Sequence, residues 1–304
     1  MIPLAPPGFR SGFVALVGRP NVGKSTLLNA LIGQKIAITS PVAQTTRNRL
    51  QGILTRPEAQ LIFVDTPGIH KPHHRLGEIL VHNAQSAMRA VDAVVVVVDG
   101  SQLAGRGDAF ITDLCPTGIP VLICANKLDL RDPQQTEAIV ESYRALLPQA
   151  PLVSVAAVDP ETLAPLLDTL IALVPEGPYY YPPDQITDQP ERFIMGELIR
   201  EQVLLHTRQE IPHSVAIIIE QVEELPHITR VLASIYVERD SQKRILIGTG
   251  GSLLKTIGAA ARQQMEKLIA GSIYLGLFVK VRPHWRQSAG MLRSLGYVAE
   301  KNDS

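Results

Sequence analysis

The sequence predicts an α/β protein in two parts: a mixed, mostly parallel sheet with helices on both faces, then a smaller α+β domain. Two observations carry the first part. Short apolar runs at Phe13–Val17, Leu61–Val64, Ala93–Val98, Val121–Ala125 and Leu152–Val155 alternate with helical patterns, the signature of a parallel sheet covered on both sides. Each run ends in Gly, Asp, Asn or a small-residue turn, and open sheets of this kind bind ligands beyond those strand ends. The second part follows a proline-rich break at 175–183, where neither helix nor strand is sustainable.

One connection interrupts the parallel pattern. Only Arg56-Pro57-Glu58 separates the runs Arg49–Thr55 and Ala59–Val64, so these strands form a hairpin and the sheet is mixed. Beyond the break, the pattern reads as a helix over Glu191–His206 and strands at Ser214–Glu220, Arg230–Glu238 and Arg244–Ile247. A glycine cluster, a helix over Ser252–Ala270 and a strand over Ile273–Arg282 complete it. The expected boundaries are a tail (1–10), a first domain (11–175), a linker (176–190), a second domain (191–283) and a C-terminal segment (284–304).

Composition limits the alternatives. With 304 residues, 45% hydrophobic and 19% charged, the chain can bury two ordinary cores. Apolar runs such as Ala93–Val98 fall far short of the roughly 18 residues of a membrane span. The start of the chain lacks a basic then apolar signal pattern, and Cys115 and Cys124 have no metal-ligand spacing. These features point to a reducing, cytoplasmic setting. Net charge is zero, yet ten basic residues fall between Lys243 and Lys301, a local excess that suits a polyanionic partner.

Gly18-Arg19-Pro20-Asn21-Val22-Gly23-Lys24-Ser25 follows the first strand and opens a helix that continues through Thr26. Glycines at these positions let backbone N–H groups close around phosphate oxygens at a helix N-terminus. Lys24 is expected to reach the β- and γ-phosphates and Ser25 to ligate Mg2+. Asp65-Thr66-Pro67-Gly68 ends the next long strand; Asp65 is expected to hold Mg2+ through a water and the Gly68 N–H to meet the γ-phosphate. Asn126-Lys127-Leu128-Asp129 ends a later strand. Asp129 can accept from guanine N1–H and its 2-amino group, a donor pair adenine lacks. Lys127 is expected to pack over the base and Asn126 to tie the base loop to the phosphate loop. Between the first two motifs, Gln44-Thr45-Thr46-Arg47 supplies a hydroxyl, expected from Thr46, that ligates the metal only with a γ-phosphate present. Together these read as a phosphate-loop GTPase domain using GTP/GDP and Mg2+.

Hydrolysis lacks one familiar part. A Gln after the D-x-x-G turn commonly orients the attacking water; here that position is Ile69, so slow intrinsic turnover is expected. Asn21 is a candidate ligand for K+ beside the phosphates. His70, His73 and His74 could suggest a metal or a base, but beside Lys71 and Arg75 they read as a solvated loop.

In the second part, Gly248-Thr249-Gly250-Gly251 lies before a helix, with Lys243, Arg244, Lys255 and Arg262 around it. A G-x-x-G turn lets a nucleic-acid backbone approach closely, the clamp of the KH module. The order of elements makes this a KH domain of the type II-like arrangement. Trp285 and Tyr274 are open to either base stacking or a core role.

These motifs jointly resemble the Era family of GTPases over nearly the whole chain. Ile186-Thr187-Asp188, Lys255-Thr256-Ile257-Gly258 and Leu292-Arg293-Ser294-Leu295-Gly296-Tyr297 are also similar to that family. The resemblance implies a 30S ribosome-assembly factor, monomeric, that binds the 3′ end of small-subunit ribosomal RNA. It also implies a cytoplasmic location that allows peripheral association with the inner membrane. The alternative is a GTPase whose second domain binds a protein or membrane surface. Two positions depart from the family: Gly250 replaces a basic residue of the clamp, and Ala156-Ala157 stands for a Ser-Ala pair. The Ala157 N–H can still meet guanine O6, but the hydroxyl that braces its loop is expected to be lost, with somewhat weaker nucleotide binding.

Overall fold

The structure is a computed structural model that describes residues 2–40, 50–69, 75–208 and 211–287. The chain divides into two compact units, one of Met1–Ala37 with Ala43–Asp188, the other of Ile38–Val42 with Gln189–Ser304.

The first unit is built on β1 (Arg10–Val17), α1 (Lys24–Ile32), β2 (Leu50–Thr55), β3 (Ala59–Asp65), α2 (Arg75–Arg89) and β4 (Ala93–Asp99). It continues through α3 (Arg106–Thr112), β5 (Val121–Asn126), α4 (Thr136–Arg144), β6 (Leu152–Ser154) and α5 (Ala164–Leu173). The strands form one sheet in the order β2-β3-β1-β4-β5-β6. All neighbours are parallel except β2 and β3, whose antiparallel register runs from Leu50 opposite Asp65 to Thr55 opposite Gln60. The short turn explains the pairing: Arg56 N–H donates to Ala59 O at 2.8 Å, closing the expected hairpin. β3 and β4 are buried along their whole length, as helix-covered strands must be. The chain leaves β1 toward β3 on one side and β4 on the other, so the order reverses at β1. A ligand crevice opens at such a switch point, and the phosphate-loop sequence lies there.

The segment after α5 stays with this unit. Gln60 Oε1 accepts from the Tyr180 and Tyr181 N–H groups at 2.8 and 3.0 Å. Ile53 N–H donates to Ile186 O at 2.8 Å, and Thr187 Oγ1 to Gln51 O at 2.7 Å. Ile186 and Thr187 thus cover part of the outer edge of β2, where an open row of backbone groups would otherwise invite pairing with another chain.

The second unit contains α6 (Glu191–His206), α7 (Ile211–Ser214), β7 (Ala216–Leu225), β8 (Ile228–Val237), α8 (Asp240–Ile247), α9 (Ser252–Leu268) and β9 (Ile273–Val281). β7 pairs antiparallel and β9 parallel with β8. Alternation on β8 turns Val231, Ala233, Ile235 and Val237 toward Ile199, Val203, Ile257 and Met265 in one core. Ile38, from the early part of the chain, joins that core at 4% exposure. Its neighbour Thr39 donates its backbone N–H to the buried carboxylate of Glu201 at 2.8 Å.

One expected element is different. Arg244–Ile247 is the end of helix α8, not a strand. A three-residue apolar run cannot separate the two periods, and the helix start decides: Gln242 Oε1 accepts from Glu238 and Arg239 N–H at 2.9 and 3.1 Å. A side chain at the third helical position reaching back to the cap in this way nucleates a helix. Helix α7 was also not anticipated. Among the described residues, no helix is long and apolar enough to cross a membrane.

Candidate nucleotide site and nucleic-acid interface

The loop after β1 closes on itself through backbone and one lysine. Gly23 caps α1 with φ of 95°, and a Cβ there would sit 2.3 Å from Asn126 Nδ2, so only glycine fits between the phosphate and base loops. Lys24 is 6% exposed and donates from Nζ to Gly18 O at 3.1 Å and Arg19 O at 3.0 Å. Burial pushes its ammonium pKa down to about 8, with Asp65 pulling the other way. Arg19 is tied outward to Asp108 at 2.8 Å, and Asp108 in turn accepts from the Gly105 N–H that starts α3.

Ser25 Oγ donates to Asp65 Oδ2 at 3.0 Å. Asp65 is completely buried at the end of β3. A hydroxyl and a carboxylate oxygen at this separation form a hard-oxygen pair of the kind Mg2+ prefers, so the residues present fit that ion. Thr66 turns its hydroxyl to Leu16 O at 2.9 Å. Gly68 lies against Pro20, where a Cβ would approach the Pro20 backbone to 2.9 Å. Ile69 N–H donates to Gly18 O at 3.0 Å, and its side chain is 1% exposed within the core of the sheet. An inward-facing aliphatic group cannot orient water, in agreement with the expectation from its chemistry. Thr46 and the neighbouring Gln44–Arg47 motif lie outside the described residues, as do His70, His73 and His74.

The base end is a set of cross-braced loops. Asn126 is 2% exposed, donates from Nδ2 to Val22 O at 2.9 Å and accepts from Ala157 N–H at 2.9 Å. Lys127 stands in the left-handed region with φ of 66° and donates to Asp99 Oδ2 at 2.7 Å. Asp129 is exposed on the short turn that follows. Several residues the sequence reading missed hold these loops. Asp99 is drawn below the usual carboxylate range despite its burial, by bonds from Lys127 and Ser101. Arg131 donates to Gly100 O at 2.7 Å and to Ser154 Oγ at 3.2 Å, spanning from the end of β4 to the end of β6. Tyr143 Oη donates to Asp99 O at 3.0 Å. Asp99 closes an apolar run as the motif carboxylates do, a usable signal; Arg131 and Tyr143 have none, because their roles depend on strand order. Ala156 and Ala157, in the loop after β6, are buried. The expectation that the hydroxyl bracing this loop is lost needs correction: Thr162, outside the loop, accepts the Ala156 N–H on Oγ1 at 3.0 Å.

In the second unit, Gly248-Thr249-Gly250-Gly251 joins α8 to α9. All three glycines have positive φ, at 72°, 60° and 80°, so the turn depends on glycine. A Cβ on Gly250 would meet nothing within 4 Å; the missing basic residue of the clamp therefore costs a charge, not space. Next to the turn lies a groove of about 400 Å³ lined by Leu254, Leu275 and Leu277 and bordered by Lys255 and Arg262. Lys255 and Arg262 are exposed, Arg262 beside Glu266 at 3.3 Å, and Lys243 is half-buried on α8. Trp285 is a core residue, 2% exposed with Nε1 donating to Ser214 O at 2.9 Å, whereas Tyr274 is 53% exposed under the Arg230 guanidinium.

Comparison with known proteins agrees with this architecture. Residues 13–127 match the family described as 50S ribosome-binding GTPase, and residues 210–286 match the KH domain. GTPase Era of Nostoc sp. is 63% identical, covering 99% of this chain and 93% of the relative. GTPase Era of Heliobacterium modesticaldum is 50% identical, covering 95% and 97%. Among solved structures, Era in complex with MgGDPNP and nucleotides 1506–1542 of 16S ribosomal RNA superposes with a TM-score of 0.90 at 36% identity, covering 95% of this chain and 99% of that one. An Aquifex aeolicus Era variant bound to GDP and aluminium fluoride gives 0.90 at 35%, covering 95% and 100%. With a phosphate loop, a guanine-type base loop and a G-x-x-G turn each where its chemistry requires it, and with relatives of this identity along its whole length, the chain belongs to the Era family of GTPases.

Proposed function

We propose that this GTPase is a ribosomal-RNA-binding switch: the first unit binds GTP, hydrolyses it and so governs how the second unit holds the 3′ end of small-subunit RNA during 30S assembly. The observation that carries the RNA half is the G-x-x-G turn between α8 and α9 with its Leu-lined groove and flanking Lys255 and Arg262. Backbone N–H groups freed of Cβ clamp the sugar-phosphate chain while the groove takes bases. The relative crystallised with 16S nucleotides 1506–1542 has the same two-domain chain, and supports this choice of RNA.

In the nucleotide site, Gly18–Thr26 wraps the phosphates, Lys24 contacts the β- and γ-phosphates, and Thr66 and Pro67 shape the approach of the Gly68 N–H to the γ-phosphate. Mg2+, held by Ser25 and Thr46 with Asp65 acting through water, neutralises charge developing on the phosphates when bound. Asn126, Lys127, Asp129 and the Ala156-Ala157 turn receive the base. Ile69 leaves water orientation to backbone and to a monovalent ion, which we assign to Asn21, left-handed at φ of 65°. Turnover is expected to fall at least severalfold when sodium replaces potassium in a phosphate-release assay; equal rates would remove that ion.

The RNA reading is tested with the full chain and an oligonucleotide copying the 16S 3′ end, against a scrambled control. Expected is sequence-dependent binding that changes between GTP-analogue and GDP states and weakens steeply as salt rises. Replacing Lys255 and Arg262 together with alanine is expected to reduce the salt slope by about two phosphate contacts. Equal, weak binding to both oligonucleotides would redirect the second unit to a protein or membrane surface.

A further inference from the structure

The loop after β6 has no side-chain hydroxyl of its own at its two central positions, Ala156 and Ala157, yet a hydroxyl from outside it braces its backbone. Thr162, on the short turn Pro160–Leu163 that leads into α5, accepts the Ala156 N–H on Oγ1 at 3.0 Å. The same hydroxyl has two carbonyls in reach for its own proton, Asp159 O at 2.7 Å and Ala156 O at 3.0 Å. Its position is itself fixed: Asp159 Oδ1 accepts the Glu161 N–H at 3.2 Å, Pro160 restricts the backbone, and Leu163 beside it is 3% exposed.

From this hydroxyl a continuous series of hydrogen bonds runs into the nucleotide site. Thr162 fixes Ala156; the next residue, Ala157, donates its N–H to Asn126 Oδ1 at 2.9 Å; Asn126 donates from Nδ2 to Val22 O of the phosphate loop at 2.9 Å. Ala156, Ala157, Asn126 and Val22 are buried and Thr162 is half-buried, so a group that loses its partner along this series is poorly placed to find another. Leu128 N–H also donates to Val155 O at 3.0 Å, so the turn bearing Asp129 rests on the same loop.

We infer that Thr162 is a positioning residue for guanine-nucleotide binding, supplying from outside the loop the hydroxyl that locks the base loop to the phosphate loop. Its hydroxyl is bonded to the backbone of Ala156 and Asp159, and it acts through Ala157 and Asn126. The inference rests on the assignment of this site to guanine.

The test is the rate at which a fluorescent GDP analogue leaves the full-length protein. Thr162→Val keeps the branched shape and removes the hydroxyl, and release is expected to quicken about tenfold, as for one unpaired buried N–H. Thr162→Ala, which also lacks the hydroxyl but differs in bulk, is expected to match it. Thr162→Ser restores the hydroxyl and is expected to release within about twofold of the parent rate. Unchanged release from Thr162→Val, or release from Thr162→Ser as fast as from Thr162→Val, would overturn the role of the hydroxyl while leaving the guanine assignment in place. A parent protein that does not prefer GDP to ADP would overturn that assignment, and this inference with it.

Discussion

Replacing Lys24 with alanine is expected to lower GTP turnover about a thousandfold without lowering the melting temperature of the nucleotide-free protein. The expected rate follows from position: the ammonium is held inside the phosphate loop by Gly18 O and Arg19 O, the place from which the proposed phosphate contact would be made. Removing one such preorganised donor from a desolvated site costs about 10²–10³ in rate, and a full charge belongs at the upper end. The stability follows from the same burial. Lys24 is held at a pKa of about 8, below its ordinary 10.5, so between those values the unfolded chain binds more protons than the folded one. This group therefore adds stability as pH rises from about 8 to 10.5, and its full cost is present below 8. Alanine relieves that cost.

Phosphate reverses the balance at Lys24 by adding negative charge beside it, so nucleotide binding near pH 8 takes up a proton. GDP affinity is expected to fall as pH rises above about 8, by at most tenfold per pH unit, and the Lys24→Ala protein is expected to lose that dependence. Phosphate-release assays, melting curves and titrations with a fluorescent nucleotide check the three parts. A turnover loss under tenfold would remove Lys24 from its role.

The difference between what was legible and what was not follows the range of the interactions. The phosphate loop, the Asp65–Gly68 turn and the Asn126–Asp129 turn were readable because each is a contiguous stretch whose chemistry is local to a strand end. The β2–β3 hairpin was readable for the same reason, since three residues admit no crossover. Arg244–Ile247 was not, because its helix is decided by Gln242 reaching back to Glu238 and Arg239, outside the apolar run itself. Arg131 bonds Gly100 and Ser154 across β5, a relation that exists only once β4, β5 and β6 are adjacent. Thr162 stands six residues from the position where a hydroxyl was sought. As a motif the loop lacks its brace; as a hydrogen-bond requirement, any hydroxyl able to reach the Ala156 N–H serves.

Asp129→Asn is expected to reduce GTP affinity about a thousandfold or more and to create a preference for xanthosine triphosphate. The carboxylate is acceptor-only, which matches guanine N1–H and the 2-amino group, two donors side by side. A carboxamide keeps one acceptor and replaces the other with a donor, so one of the guanine donors would face an N–H. Xanthine carries a carbonyl in place of the 2-amino group and accepts from that N–H while N1–H still donates to the remaining oxygen. The surroundings favour a clean exchange. Asp129 is exposed on its turn, and the turn is held by backbone: Leu128 N–H to Val155 O at 3.0 Å and Leu130 N–H to Lys127 O at 3.0 Å. Lys127 is held by Asp99, away from the substituted side chain, so any contribution it makes to base binding is expected to be common to both nucleotides and to cancel in their ratio. Competition between the two triphosphates for parent and variant measures that ratio directly. A reversed preference assigns base recognition to Asp129; a variant weakened equally toward both nucleotides would mean that the side chain supports the turn and that the base is read elsewhere.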